Sequence, residues 1–294
     1  MKTYPALLSA GLIGLLWHAS AALAGEPAAP IPSTQKELID LRDPAKVRAR
    51  RPLLIAHRGG VVGPRLPECS LGAIREASKW GYDMVELDVR ATRDGRPVVF
   101  HDTNLLAACG RDTTISALSE AEARAIRYRK NDEPIASLGE ALALCRELKL
   151  GVMLDFKDGN LRPEFLQGIA TLVRQHRLAR ATVTISGNPV VRAELRAVAL
   201  VPVTPDELRR IAGGEPVAAD GLYWFGIPAR IQFDTIPKLQ RSGALVVPAI
   251  NLFRYENDPD RAQARREVRQ LLEIGVDGFQ IDSSYQDFFG RALP

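Results

Sequence analysis

Cysteine and histidine are scarce: three and four residues in a chain of 294. Three thiols can close at most one disulfide and leave one over, so a scaffold held by several bridges is excluded. The net charge of +4 comes from Arg and Lys interspersed with acids. No basic tract is unbroken enough to follow a nucleic-acid backbone, although the positive balance suits an anionic small molecule. There is no low-complexity segment and no second linker beyond an early Pro-rich stretch. With 46% hydrophobic and 25% charged residues, usage is that of a globular chain able to bury one large core or two smaller ones, and disorder is not expected as its main theme.

The first 24 residues stand apart. Lys2 precedes the 13-residue apolar stretch "PALLSAGLIGLLW", and Ala22 to Ala24 offers the small residues a signal peptidase needs. Cleavage after Ala24 is expected, which takes 24 from 294 residues, leaves 270, and lowers the charge to +3. A spanning helix needs about 20 apolar residues, so no stable membrane anchor is expected here. A periplasmic or secreted destination follows, and with it an oxidising compartment for Cys69, Cys109 and Cys145. Residues 25–50, opening "GEPAAPIPSTQ", read as a linker and lead-in helix, and residues 51–294 as one domain.

From there apolar runs alternate with amphipathic stretches. Strands are predicted at 52–57, 84–89, 152–157, 182–186, 200–204, 221–225, 244–250 and 278–282. Between them "SLGAIREASKWG", "SLGEALALCRELK", "PEFLQGIATLVRQH" and "RAQARREVRQLLEIG" read as helices. Ser70 and Ser137 are expected to cap two of them, and Gly81 and Gly275 to stop two. Eight strands, most followed by a helix, predict an α/β fold of the (β/α)8 TIM-barrel type, with an open doubly wound sheet as the rival. Functional side chains then belong at the carboxyl ends of the strands.

The first three strands meet that expectation. The first ends at His57 and Arg58, the second carries Glu86 and Asp88, and the third carries Asp155 and Lys157. Residues two apart on a strand share a face, so each pair points the same way, into the lumen of a barrel. Three carboxylates converging there would repel one another unless a cation sits between them, and an all-oxygen set selects Ca²⁺ or Mg²⁺. After the second strand, "RDG" makes a turn and "PVVF" a short strand, a hairpin that returns His101 over the barrel mouth. Two histidines ending apolar runs, with acids between, suit acid and base work; His176 on a helix reads as a surface residue. Gly59 and Gly60 are expected to let the backbone approach a bound ligand with no Cβ in the way.

The run "HRGG" at 57–60, "PE" at 67–68, "ELDVRATRDGRPVVFHD" at 86–102, "DFK" at 155–157 and "GVDGFQIDS" at 275–283 resemble the glycerophosphodiester phosphodiesterase family. The resemblance implies a metal-dependent TIM barrel of the phospholipase C-like type. It implies His57 and His101 as the general acid/base pair and Glu86, Asp88 and Asp155 as ligands of one divalent cation. Arg58 and Lys157 become the cations that hold the phosphate, and Glu68 reaches the substrate or a metal ligand. The implied reaction splits a small-molecule glycerophosphodiester into glycerol 3-phosphate and an alcohol.

Three positions depart from the family pattern. Cys69 stands where Asn is usual, Asp155 where Glu is common, and "VPAIN" where "WTVN" is frequent, although Asn251 persists. Trp224 is the residue left to stack against substrate, its competing role being packing. Two other functions fit the same residues: a phospholipase of the sphingomyelinase D or phosphatidylinositol phospholipase C type, which needs an apolar docking loop such as "NLFRY" at 251–255, and a silent barrel that binds phosphodiesters. The head group, the choice of metal and the oligomeric state are not encoded in any of these motifs.

Overall fold

The computed structural model describes residues 37–159 and 161–290. The expected leader, its cleavage point and most of the linker lie outside the described residues. A short helix, Pro44–Ala49, opens the domain, with the Asp43 side chain accepting from the N–H groups of Ala45 and Lys46.

Eight parallel strands follow: β1 (Leu53–Ala56), β2 (Met84–Ala91), β4 (Gly151–Phe156), β5 (Thr182–Thr184), β6 (Val201–Pro202), β7 (Leu222–Gly226), β8 (Leu245–Ile250) and β9 (Gly278–Ile281). The ninth, β3 (Pro97–Val99), pairs antiparallel with β2. The hydrogen-bonded order β5-β4-β2-β1-β9-β8-β7-β6 brings the two end strands side by side. A single parallel bridge between Val183 and Leu200 spans that seam. The result is a nearly closed TIM barrel, and the open doubly wound sheet is excluded. The near-continuous burial of β1, β2, β4, β8 and β9 is what a parallel sheet wrapped in helices requires, and it explains why those strands read as apolar runs.

The sequence punctuation works as expected. Ser70 accepts from Ala73 N–H at the start of helix Leu71–Lys79. Ser137 and Glu140 form a reciprocal capping box on helix Leu138–Glu147. Gly81 and Gly275 adopt left-handed conformations just past their helices. Helix Pro163–Gln175 begins at its proline, where the missing N–H is no loss.

Gly59 and Gly60 have a reason within the fold itself. A Cβ on Gly59 would lie 2.6 Å from the Cα of Cys69, and one on Gly60 2.2 Å from the carbonyl oxygen of Ala73. Both also hold positive φ, at 80° and 138°. The glycines therefore let the chain leaving β1 pack against its own following loop and helix. That packing alone requires glycine at both positions.

Candidate active site

The carboxyl ends of β1, β2, β4, β8 and β9 supply the site. Where β1 ends, Arg58 takes a left-handed backbone conformation, φ 55°. That turn aims its N–H at the Glu86 carboxylate, 2.7 Å away, while Gly59 N–H reaches the Glu86 carbonyl at 2.6 Å. A non-glycine residue held there costs roughly 1 kcal/mol, offset by a charge-assisted hydrogen bond inside the protein.

Glu86, Asp88 and Asp155 come together, each offering an oxygen within 4.8 Å of the others. The first two are wholly buried and Asp155 is partly exposed. Register explains this meeting, since β2 and β4 pair Asp88 directly with Asp155. Burial, followed by the charges of Asp88 and Asp155, pushes the Glu86 carboxyl well above its usual range. Burial opposes ionisation of Asp88 too, but the Lys157 ammonium outweighs it and holds that carboxyl below its usual value. Lys157 Nζ lies 2.8 Å from Asp88 and 2.6 Å from Asp155.

One ammonium does not satisfy the cluster. Glu86 Oε1 is buried with no hydrogen-bond partner. An orphaned carboxylate oxygen in an all-oxygen set of three acids fits a hard divalent cation, held by Glu86, Asp88 and Asp155.

Both histidines stand on carboxylates. His57 Nδ1 is 2.6 Å from Asp282, whose other oxygen accepts from Leu252 N–H at 2.6 Å. His101 Nδ1 is 2.9 Å from Asp102 and 3.4 Å from Glu68. A carboxylate at Nδ1 accepts its proton and leaves Nε2 of each ring able to accept one. Glu68 also accepts from the Arg58 guanidinium at 2.9 Å and so ties the ends of β1 and β3 together. Partial burial opposes the Arg58 charge, yet pairing with Glu68 raises its pKa above the ordinary value. The hairpin forms as the turn residues indicated: Val89 faces Val99, and Phe100 N–H bonds the Asp88 carbonyl.

Cys69 answers the missing amide. Its thiol is buried, and desolvation followed by the Asp88 charge pushes its pKa well up, so it stays protonated and donates to Asp88 at 3.2 Å. All three cysteines are free.

Trp224 is a correction. It is 4% exposed and packed in the hydrophobic core, with its ring against Gly226, so it has no open face for a substrate. Neighbouring Tyr223 points the other way, its hydroxyl donating to the Thr184 carbonyl at 2.6 Å. His176 ends helix Pro163–Gln175, away from these strands.

Two residues escaped the sequence reading. Asp282 ends β9, and the rule of strand-end chemistry could have flagged it. Arg90 donates to the His101 carbonyl at 2.7 Å and to Asp158 at 3.2 Å, fixing the hairpin against the loop after β4.

Residues 57–187 match the model of the glycerophosphoryl diester phosphodiesterase family, and these residues include both histidines and all three clustered acids. The family model over residues 57–187, the curated relatives and the structural neighbours all indicate the glycerophosphodiester phosphodiesterase family. Human glycerophosphodiester phosphodiesterase 1 is 40% identical over 111 residues, 35% of this chain and 33% of its own length. Rat lysophospholipase D GDPD1 is 30% identical over 146 residues, 46% of this chain and 44% of its own. The chain thus aligns with a third to under a half of these curated relatives. Among glycerophosphodiester phosphodiesterase folds, a phosphodiesterase of Oleispira antarctica, solved with its product sn-glycerol-3-phosphate, superposes with a TM-score of 0.62 at 22% identity. That superposition covers 81% of this chain and 97% of the other, so the barrel is shared over nearly the whole of that enzyme.

Proposed function

We infer that the protein is an exported phosphodiesterase that hydrolyses glycerophosphodiesters to glycerol 3-phosphate and an alcohol. The observation that carries this reading is two carboxylate-backed histidines flanking an acidic cluster with an orphaned oxygen. Histidines held by acids at one nitrogen are arranged to move protons, and binding alone does not require both.

A divalent cation, Ca²⁺ or Mg²⁺, held by Glu86, Asp88 and Asp155 would neutralise the charge that builds on the non-bridging oxygens. The chain's own residues do the remainder. Arg58, fixed by Glu68, can hold two phosphate oxygens at once, and Lys157 adds a point charge beside them. One histidine Nε2 takes the proton from a hydroxyl neighbouring the phosphate as its oxygen attacks phosphorus, and the other gives a proton to the departing alcohol. The resulting cyclic phosphate is opened by water with the two roles exchanged.

The test is release of glycerol 3-phosphate from glycerophosphocholine. His57→Ala and His101→Ala should each lower turnover by about 10²-fold or more, and EDTA should abolish it. Turnover retained in both variants would sink the acid/base assignment, and product-free binding would favour the silent barrel. A lipid-borne substrate is the second reading, favoured by exposed Leu252 and Phe253 beside His57 and by the lysophospholipase D relative.

A further inference from the structure

Leu252 and Phe253 are consecutive and each 51% exposed. They occupy the turn Leu252–Arg254 that leaves β8, at the same end of the barrel as the histidines. The Phe253 ring lies 6.3 Å from the His57 ring, and Asp282, which bonds His57, also bonds the N–H of Leu252. This apolar tip is thus anchored to the catalytic machinery.

Two cations border it. The Arg254 guanidinium lies over the Phe253 ring at 4.7 Å. Partial burial, followed by the charge of exposed Arg230 on the turn Pro228–Arg230 after β7, disfavours the charge of Arg254. Among the described residues no carboxylate pairs with either guanidinium, in contrast to Arg58, Arg90, Arg192 and Arg261.

Unpaired guanidiniums beside an exposed apolar pair match the boundary of a bilayer, where apolar side chains pass below the head groups and arginines stay at the phosphates. The geometry points to an anionic phospholipid surface as the occupant of this rim, seated on Leu252, Phe253, Arg254 and Arg230. The surface would then face the catalytic mouth, and only that consequence rests on the phosphodiesterase reading. A second copy of the chain would have to bring the Arg230 and Arg254 guanidiniums of two rims together, with exposed Glu256 and Asp260 lying further along the same loop.

Flotation of the full chain with phosphatidylcholine vesicles, with and without phosphatidylglycerol, tests the assignment. The protein should float with the phosphatidylglycerol vesicles and be released by high salt. The double variants Leu252→Ser/Phe253→Ser and Arg230→Gln/Arg254→Gln should each lower partitioning about tenfold while keeping the wild-type thermal transition. Absence of flotation, equal flotation on phosphatidylcholine alone, or unchanged partitioning of the variants overturns the proposal. So does a dimer in light scattering that buries Phe253. Glycerol 3-phosphate release on the same sample is a separate readout, so a failure of lipid binding and a failure of the phosphodiesterase reading are told apart.

Discussion

At the scale of single residues, Asp282 gives the sharpest expectation. It orients His57 and at the same time holds the turn carrying Leu252. Asp282→Asn keeps the size but allows the amide to donate toward Nδ1, which favours the wrong tautomer. Turnover should fall by about 10²-fold with little change in KM, measured by steady-state kinetics. An unchanged kcat would remove Asp282 from the positioning role. His57, Arg58, Glu86, Asp88, His101, Asp155 and Lys157 were legible because strand period and strand-end location single them out. Asp282 was less so: its strand-end location marks it, but a single acid with no partner two residues away makes no pattern. Trp224 was misread because alternation within β7 turns Tyr223 to one side and the indole to the other.

At the scale of elements, the link between β1 and helix Leu71–Lys79 depends on Gly60. Gly60→Ala sets a methyl 2.2 Å from a carbonyl oxygen and forces alanine to φ 138°. The loss should be about 3 kcal/mol, read as a lowered midpoint in urea unfolding at unchanged slope. A loss under about 0.5 kcal/mol would mean that the loop relaxes freely. Strand and helix positions were readable because caps, prolines and apolar runs coincide with the observed ends. The purpose of Gly59 and Gly60 was not, because it depends on Cys69 and Ala73 arriving from further along the chain.

At the scale of the whole molecule, stability should follow the carboxyls. Burial opposes ionisation of Glu140 and Glu207, but their capping bonds to Ser137 and Thr204 and their pairing with Arg124 and Arg192 hold both below the usual 4.5. A carboxyl lowered in the folded state contributes stability above its unfolded value and loses it as pH falls through the folded one. These two carboxyls should therefore lower the melting temperature as pH falls below about 4.5. Glu86 has the opposite sign: its raised pKa means that ionisation opposes folding as pH rises. A divalent cation on the cluster should relieve that opposition and stabilise by about 2.7 kcal/mol at a hundredfold excess over Kd, reversed by EDTA in scanning calorimetry. An unmoved melting temperature would count against the cluster as the cation's seat.

The barrel wall is uneven in a way that bears on motion. β2 and β4 share six registered pairs beneath the acids, whereas β5 and β6 meet at one bridge and two amide bonds, from Thr184 to Leu200 and from Leu200 to Thr182. Deuterium should enter the amides of Thr184 and Leu200 well before those of Leu87 and Leu154; equal protection would contradict this. If the staves part first at that seam, the cylinder breathes on the arc away from its chemistry. Thermal fluctuation then spends itself where no proton is transferred, and the catalytic arc keeps its alignment at temperatures where the vessel as a whole has begun to loosen.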